Sequence, residues 1–378
     1  MENQKVVSGS QACAEAVKLV GPQVIPVYPI TPQTVISETL AQMVSNGEIS
    51  TELINVESEH SAMAACIGAQ ATGVRTYTAT SSQGLALMHE MLFVASGMRL
   101  PIVMAVVNRA LSAPLNIWND HQDSFSERDS GWVQLYVESA QEAFDTHIQA
   151  YKIAEELKLP VMVCLDGYII SHTYEPVVFL EKQNVEKFLG KYRPDVSLNP
   201  AKPVTMGTVG TPEYYIHFRK QQQDAMEKAK EIIMKVNREF ASMSKRVYGN
   251  GLVETIGLEG KEHALVTIGS VTGTARSVLE KMGNIGIIRV RSLRPFPTEE
   301  LQKICGNLKS IGVLEKDISI GANGGLYDEV RSALYNLKNR PKVSGFIAGL
   351  GGKDIKPEEI EAVTEKIKSG KEGVEWML

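Results

Sequence analysis

Proton-handling and anion-binding side chains gather in short clusters in the first half of this chain, and each cluster directly follows an apolar run. Tyr28-Pro29-Ile30-Thr31-Pro32 follows residues 24–28, whose last member opens the cluster. Glu57-Ser58-Glu59-His60 follows residues 53–56, and Ser81-Ser82-Gln83-Gly84 follows residues 75–80. Asn108-Arg109 closes the run 101–107, and Asp166-Gly167 closes the run 160–165. A carboxylate such as Glu59 can hold or move a proton. Arginine presents a planar fork of donors that fits a carboxylate, and Thr31 offers one neutral hydroxyl. Each residue also has a plainer role open to it. Glu59 suits the N-terminus of the small-residue helix at 61–73. Arg109 suits a surface ion pair, and Thr31 suits a cap on a helix beginning near Thr34. Pro29 and Pro32 stiffen the loop around that hydroxyl.

Asp120, His121 and Asp123 lie within four positions of one another and have the chemistry of metal ligands. A fourth ligand is not evident, so ordering a loop or contacting another subunit is the better reading, and no metal is assigned. Cys13, Cys66, Cys164 and Cys305 are widely spaced and form no Cys-x-x-Cys pair. Iron–sulfur clusters need convergent thiolates, so this chain is expected to ligate none. Two glycine-rich loops deserve weighing as dinucleotide sites. Ser319–Gly325 precedes a helix whose amides could hold an anion, but it lacks the Rossmann spacing and reads as a turn and cap. The loop 346–352 opens no helix at once.

These clusters need a scaffold that brings them together. Residues 1–175 alternate apolar strands (24–28, 53–56, 75–80, 101–107, 132–137, 160–165) with helices (10–20, 34–44, 61–73, 85–98, 140–157). That rhythm predicts an α/β fold with a parallel sheet covered on both faces. In such sheets ligands sit beyond the carboxyl ends of the strands, which is where all five clusters fall. Residues 176–213 lose the rhythm and read as an irregular extension. Met226, Ala229, Ile233, Val236, Phe240 and Met243 form one stripe on a long helix over 214–245, packed on its own domain or on another subunit. A second α/β unit follows, with strands at 264–268, 285–290, 310–314 and 343–348. Its helices fall at 274–282, 324–337 and 357–369. The expected domains are 1–245 and 250–378.

The bulk properties agree with a globular protein. The 378 residues carry a net charge of −5 with mixed signs, which gives no basic footprint for nucleic acid. No apolar run is long enough to span a bilayer. The N-terminal residues lack the core of a secretion signal, so a cytoplasmic location is expected.

The clusters, taken in order, resemble those of the alpha subunits of 2-oxoacid:ferredoxin oxidoreductases. The resemblance is carried by Tyr-Pro-Ile-Thr-Pro at 28–32, Val-Glu-Ser-Glu-His-Ser-Ala at 56–62 and Thr-Ser-Ser-Gln-Gly-Leu at 80–85. Arg-Ala-Leu-Ser-Ala-Pro at 109–114, Asp-His-Gln-Asp at 120–123 and Asp-Gly-Tyr at 166–168 continue it, with Ser171-His172. Arg-Ser-Leu-Arg-Pro-Phe-Pro at 291–297 extends it into the second unit.

The resemblance implies a thiamine-diphosphate pyrimidine-binding domain followed by a transketolase C-terminal-like domain. It implies oxidative decarboxylation of pyruvate with coenzyme A to acetyl-CoA and CO₂, with electrons passed to ferredoxin, and the reverse carboxylation. A beta subunit would hold the diphosphate, Mg²⁺ and an iron–sulfur cluster of the [4Fe-4S] type. Gamma and delta subunits would complete the complex. Glu59 would be the catalytic carboxylate at the aminopyrimidine, with Tyr28 and Pro29 beside the cofactor. Thr31 and Arg109 would bind the substrate. Glu57 and His60 would pack or cap. A branched-chain 2-oxoacid enzyme would differ in pocket size, and a 2-oxoglutarate enzyme would need a second cation for which no residue stands out. Two rivals remain: a non-catalytic scaffold subunit, and a thiamine decarboxylase subunit without a redox partner.

Overall fold

A computed structural model of the protein describes residues 3–378. Strands Val103–Asn108 and Val161–Asp166 are buried at every position and lie side by side at the centre of the first sheet. Their near-continuous apolar sequence is what a strand covered on both faces requires. Val133–Tyr136 joins one side and Tyr77–Thr80 the other, all parallel. The parallel pair Val24–Val27 and Glu52–Asn55 continues the sheet through a bridge from Val24 to Thr76. The carboxyl ends of these six strands therefore share one edge.

Alternation along the central strands feeds two cores. Val103, Ala105 and Val107 face the helices Gly9–Val20 and Ala140–Leu157. Met104 and Val106 face the helices Glu59–Ala71 and His89–Gly97, and this second core runs on into the second α/β unit. Ser8 and Gln11 form a capping box at the start of Gly9–Val20, and the Ser139 hydroxyl caps Ala140–Leu157. Such caps satisfy amides that the first helical turn leaves free.

The helix expected over 85–98 is two helices, Ser82–Leu87 and His89–Gly97. The extension is less irregular than its composition implies. Tyr174–Val178 pairs antiparallel with Gln4–Ser8, and Lys182–Leu189 is a helix with only Val185 and Phe188 buried. One buried pair is too short a pattern to read as a period. The long helix is Pro212–Ser244, and its buried Ala229, Ile233, Val236 and Phe240 join the first core. The stripe thus packs on its own chain.

The second unit is a six-stranded sheet in the order Gly373–Trp376, Lys342–Ile347, Ser310–Glu315, His263–Thr267, Ile285–Val290, Val253–Ile256. Its two outer strands were not expected, nor was the helix Thr298–Cys305. The helix read at 274–282 is Val271–Ser277 followed by a short 3₁₀ turn, Leu279–Met282. Strand Ser292–Arg294 leaves this unit and pairs antiparallel with Val133–Tyr136 of the first sheet. Fully buried Arg289 and Arg291 both reach Glu142 on the helix of the first core, Arg291 at 2.6 Å. Arg289 also meets Glu138 at 3.2 Å and Glu254 at 3.3 Å, so the two buried guanidiniums are matched by carboxylates.

Candidate functional site

The carboxyl edge of the first sheet is tied together by Asp123. One carboxylate oxygen accepts the backbone amides of Ser82 (2.9 Å) and Arg109 (3.0 Å), and the other accepts from the Asn108 side chain at 2.7 Å. Three strand-end residues are held by one buried side chain. Burial pushes the Asp123 carboxyl up to about 6, against the pull of these donors.

Arg109 is 7% exposed. Its guanidinium donates to the carbonyl of Thr31 (2.8 Å), the carbonyl of Asn116 (3.1 Å) and the side-chain oxygen of Gln83 (3.0 Å). Burial draws its pKa down, with Asp123 nearby opposing that. Thr31 itself is exposed and meets Arg109 through its backbone. The helix after it, Thr34–Ser45, has Gln33 at its cap with no side-chain hydrogen bond, so Thr31 is not a cap.

Glu59 is the first residue of its helix and is 5% exposed. The helix is capped by the Ser58 hydroxyl rather than by Glu59. The glycine at 84 leaves the room that Glu59 uses: a Cβ there would stand 2.5 Å from Glu59 Oε1 and 2.5 Å from the Thr80 hydroxyl. The buried hydroxyls of Thr80 and Ser81 have no hydrogen-bond partner among the described residues. Gly167 closes the set, since a Cβ there would lie 2.5 Å from the Asn108 carbonyl and 2.8 Å from Pro32. All five clusters therefore meet at one edge, with neighbours Gln83 and Gly84 touching Arg109 and Glu59 in turn. Tyr28 is half-buried and Pro29 exposed on the loop that carries Thr31. Glu57 is exposed and accepts from Ser61, and half-exposed His60 lies 3.8 Å from Glu90.

Asp120, His121 and Asp123 point to three different partners. Asp120 accepts the amides of Gln122 and Gly351, so it fastens the loop 346–352 of the second unit. His121 Nε2 lies 2.8 Å from Asp166, which also pairs with Lys316 Nζ at 2.8 Å and accepts the Ser270 hydroxyl. Burial alone would raise the Asp166 carboxyl, but Lys316 and His121 hold it well below the usual range. Sequence reasoning missed Lys316, although it stands just beyond strand Ser310–Glu315, where the strand-end rule applied to the second sheet would have found it.

Among the described residues no group of three or more His, Cys, Asp or Glu side chains is arranged to hold a metal. The four cysteines are buried, and burial pushes the Cys305 thiol up to about 12. The glycine-rich turn before helix Gly325–Leu334 has its amides taken by the chain itself. Asp317 accepts from Gly325, and Glu315 from Leu326 and Tyr327, at 2.7–3.0 Å. No helix among the described residues is long and apolar enough to cross a membrane.

Residues 15–238 match the family described as "Pyruvate flavodoxin/ferredoxin oxidoreductase, thiamine diP-bdg". Residues 262–360 match "Pyruvate:ferredoxin oxidoreductase core domain II". The chain is 54% identical over 376 residues to pyruvate synthase subunit PorA of Methanocaldococcus jannaschii, covering 97% of this chain and 96% of that one. It is 44% identical over 384 residues to ketoisovalerate oxidoreductase subunit VorA of Pyrococcus horikoshii, covering 99% and 97%. In fold it is similar to the 2-oxoglutarate:ferredoxin oxidoreductase of Magnetococcus marinus, with a TM-score of 0.71 at 19% identity over 97% of this chain and 65% of that chain. It is also similar to a split-gene transketolase (TM-score 0.57, 14% identity, 97% and 99% covered).

Fold and comparisons together define an α/β oxidoreductase subunit with a thiamine-diphosphate-binding domain. More particularly, the chain belongs to the pyruvate:ferredoxin oxidoreductase family, as its alpha subunit.

Proposed function

We propose that pyruvate meets thiamine diphosphate at the carboxyl edge of the first sheet, in a complex that passes the electrons to ferredoxin. The observation that carries this reading is the Arg109 guanidinium, nearly buried there and surrounded by neutral acceptors. A buried cation with no anion of its own suits an anionic ligand.

The residues beside it fit the pyrimidine of the cofactor. Glu59 offers a nearly buried carboxylate next to the gap at Gly84, and the Thr80 and Ser81 hydroxyls are buried without partners. When bound, thiamine diphosphate supplies the nucleophilic carbon and takes up the electron pair released with CO₂. Glu59 would hold a proton between itself and the ring nitrogen, in a site shielded from water where such a bond is strong. Tyr28 and Pro29 would line the same cofactor. Arg109 would bind the carboxylate of pyruvate in its fork, and the exposed Thr31 hydroxyl would add one neutral donor. Asp123 would keep Arg109 and Ser82 in register.

A beta subunit would hold the diphosphate, Mg²⁺ and the [4Fe-4S] centre, and gamma and delta subunits would complete the path to ferredoxin. Coenzyme A would take the acetyl group. Residues 1–245 would act as the cofactor domain and 250–378 as the transketolase-like partner domain, in a cytoplasmic complex. The likeness to a ketoisovalerate enzyme subunit at 44% identity favours a second reading, in which a branched-chain acid is the substrate, and the 54% identity to a pyruvate synthase subunit ranks it lower. Purification of the native complex, followed by a panel of 2-oxoacids with coenzyme A and a viologen acceptor, decides between them. Pyruvate should give the highest kcat/KM. A higher value for 2-oxoisovalerate would reverse the ranking, and copurification without an iron–sulfur partner would remove the redox role.

A further inference from the structure

We propose that Gln83 is a positioning residue that keeps the Arg109 cation unneutralised, so that its charge is available to the substrate's carboxylate. The proposal rests on the reading of Arg109 given above and adds a residue that sets anion affinity from behind it.

Buried arginines elsewhere in this chain face carboxylates. Arg289 and Arg291, the other arginines buried among the described residues, share Glu142. Arg109 is the contrast. Its three acceptors are two backbone carbonyls and the side-chain oxygen of Gln83, and no carboxylate among the described residues forms an ion pair with it. The nearby Asp123 is occupied by the amides of Ser82, Arg109 and Ser124 and by the Asn108 side chain.

Among the described residues Gln83 is thus the one side chain that accepts a hydrogen bond from the fork, and its chemistry decides the charge there. The Ser82 hydroxyl lies 2.6 Å from the same Gln83 oxygen that Arg109 reaches at 3.0 Å. The guanidinium can only donate, so the atom facing it is the oxygen of the amide, while the single Ser82 proton is also claimed by the Ala110 carbonyl at 2.5 Å. Glutamate is nearly isosteric with glutamine and would find the Arg109 donor in place. It would also close an internal ion pair that an incoming carboxylate must compete with. Glutamine orients the fork while leaving the positive charge uncompensated, a division of roles that glutamate cannot provide.

The test uses the whole complex carrying Gln83→Glu, Gln83→Met, Arg109→Met, or Gln83→Glu with Arg109→Met, with pyruvate KM and kcat measured separately and assembly checked by copurification. A lost charge-assisted hydrogen bond corresponds to roughly ten- to a hundredfold in binding. Gln83→Glu should raise the pyruvate KM by that factor, with a smaller change in kcat. Gln83→Met keeps the volume and adds no charge, so it should raise KM only several-fold. In the Arg109→Met background, Gln83→Glu should add less than about threefold, because the charge it would neutralise is gone. A KM penalty for Gln83→Met equal to or above that of Gln83→Glu would mean packing rather than charge, and would overturn the proposal. So would an unchanged KM in Gln83→Met, which stands as the test if Gln83→Glu does not assemble. Equal effects of Gln83→Glu with and without Arg109 would overturn it as well. If Arg109→Met itself left KM unchanged, the carboxylate reading of Arg109 would fail first, and the role of Gln83 with it.

Discussion

Gly84 and Glu59 share one small volume: a Cβ on residue 84 would stand 2.5 Å from the Glu59 carboxylate. Real Cβ atoms do not approach oxygen so closely, so a side chain at 84 must displace Glu59 or the strand end at Thr80. Gly84→Ala should therefore lower turnover at least about tenfold, a loss of about 1.4 kcal/mol of transition-state stabilisation. The complex should still assemble, and its affinity for thiamine diphosphate should fall with the activity. Titration of the cofactor into the depleted complex, beside steady-state rates, checks this. Unaltered rates would mean that Glu59 does not need the space.

Arg109 and Thr31 make unequal contributions, because Arg109 presents its fork from a nearly buried position while Thr31 is exposed and supports Arg109 through its carbonyl. Arg109→Lys keeps a charge but loses the fork. It should raise the pyruvate KM roughly ten- to a hundredfold, the equivalent of one charged hydrogen bond of about 1.5–3 kcal/mol. Thr31→Val keeps the carbonyl and should cost less. Thr31→Arg should weaken pyruvate and relatively favour a dianion such as oxalate. Michaelis and inhibition constants for the three complexes decide the order, and a larger effect for Thr31→Val would reverse it.

Asp166 joins the two α/β units through Lys316, His121 and Ser270. Asp166→Asn leaves Lys316 buried without an anion, which costs about 3–5 kcal/mol when a buried pair is broken. The Asp166 carboxyl is held below its ordinary value of 3.8 in the fold. Its stabilisation is therefore fully present above about pH 4 and is lost as pH falls through the folded value. The difference in Tm between the native chain and Asp166→Asn should be constant from pH 7 to 5 and narrow only below about pH 4. A difference that narrowed between pH 7 and 5 would assign the effect to another group.

The sequence made the site legible because its residues sit at strand ends, and strand ends can be found from apolar runs alone. Glu59, Thr31 and Arg109 were reachable in that way, with their roles supplied by resemblance. The element pattern of the first unit was also readable, since Val103–Asn108 and Val161–Asp166 are apolar up to their last residue. What escaped was nonlocal. Gln4–Ser8 and Tyr174–Val178 are strands only because they pair with each other across the chain. Ser292–Arg294 is three residues long and belongs to the other unit's sheet. Lys316 matters through partners far away in sequence, and Gln83 and Gly84, though already placed at a strand end, take their roles from Arg109 and Glu59. Asp120, His121 and Asp123 looked like a ligand set because they are adjacent in sequence, yet the backbone sends each to a different partner.

Glu59→Gln tests most directly whether Glu59 handles the proton at the cofactor ring. The amide keeps the shape and the place at the start of helix Glu59–Ala71 but cannot exchange the proton. General acid–base steps contribute about 10²–10⁴-fold. Pyruvate-dependent reduction of ferredoxin by the assembled, cofactor-loaded Glu59→Gln complex should fall by a factor in that range while the subunits still copurify. Turnover within a few-fold of the native complex would contradict the account.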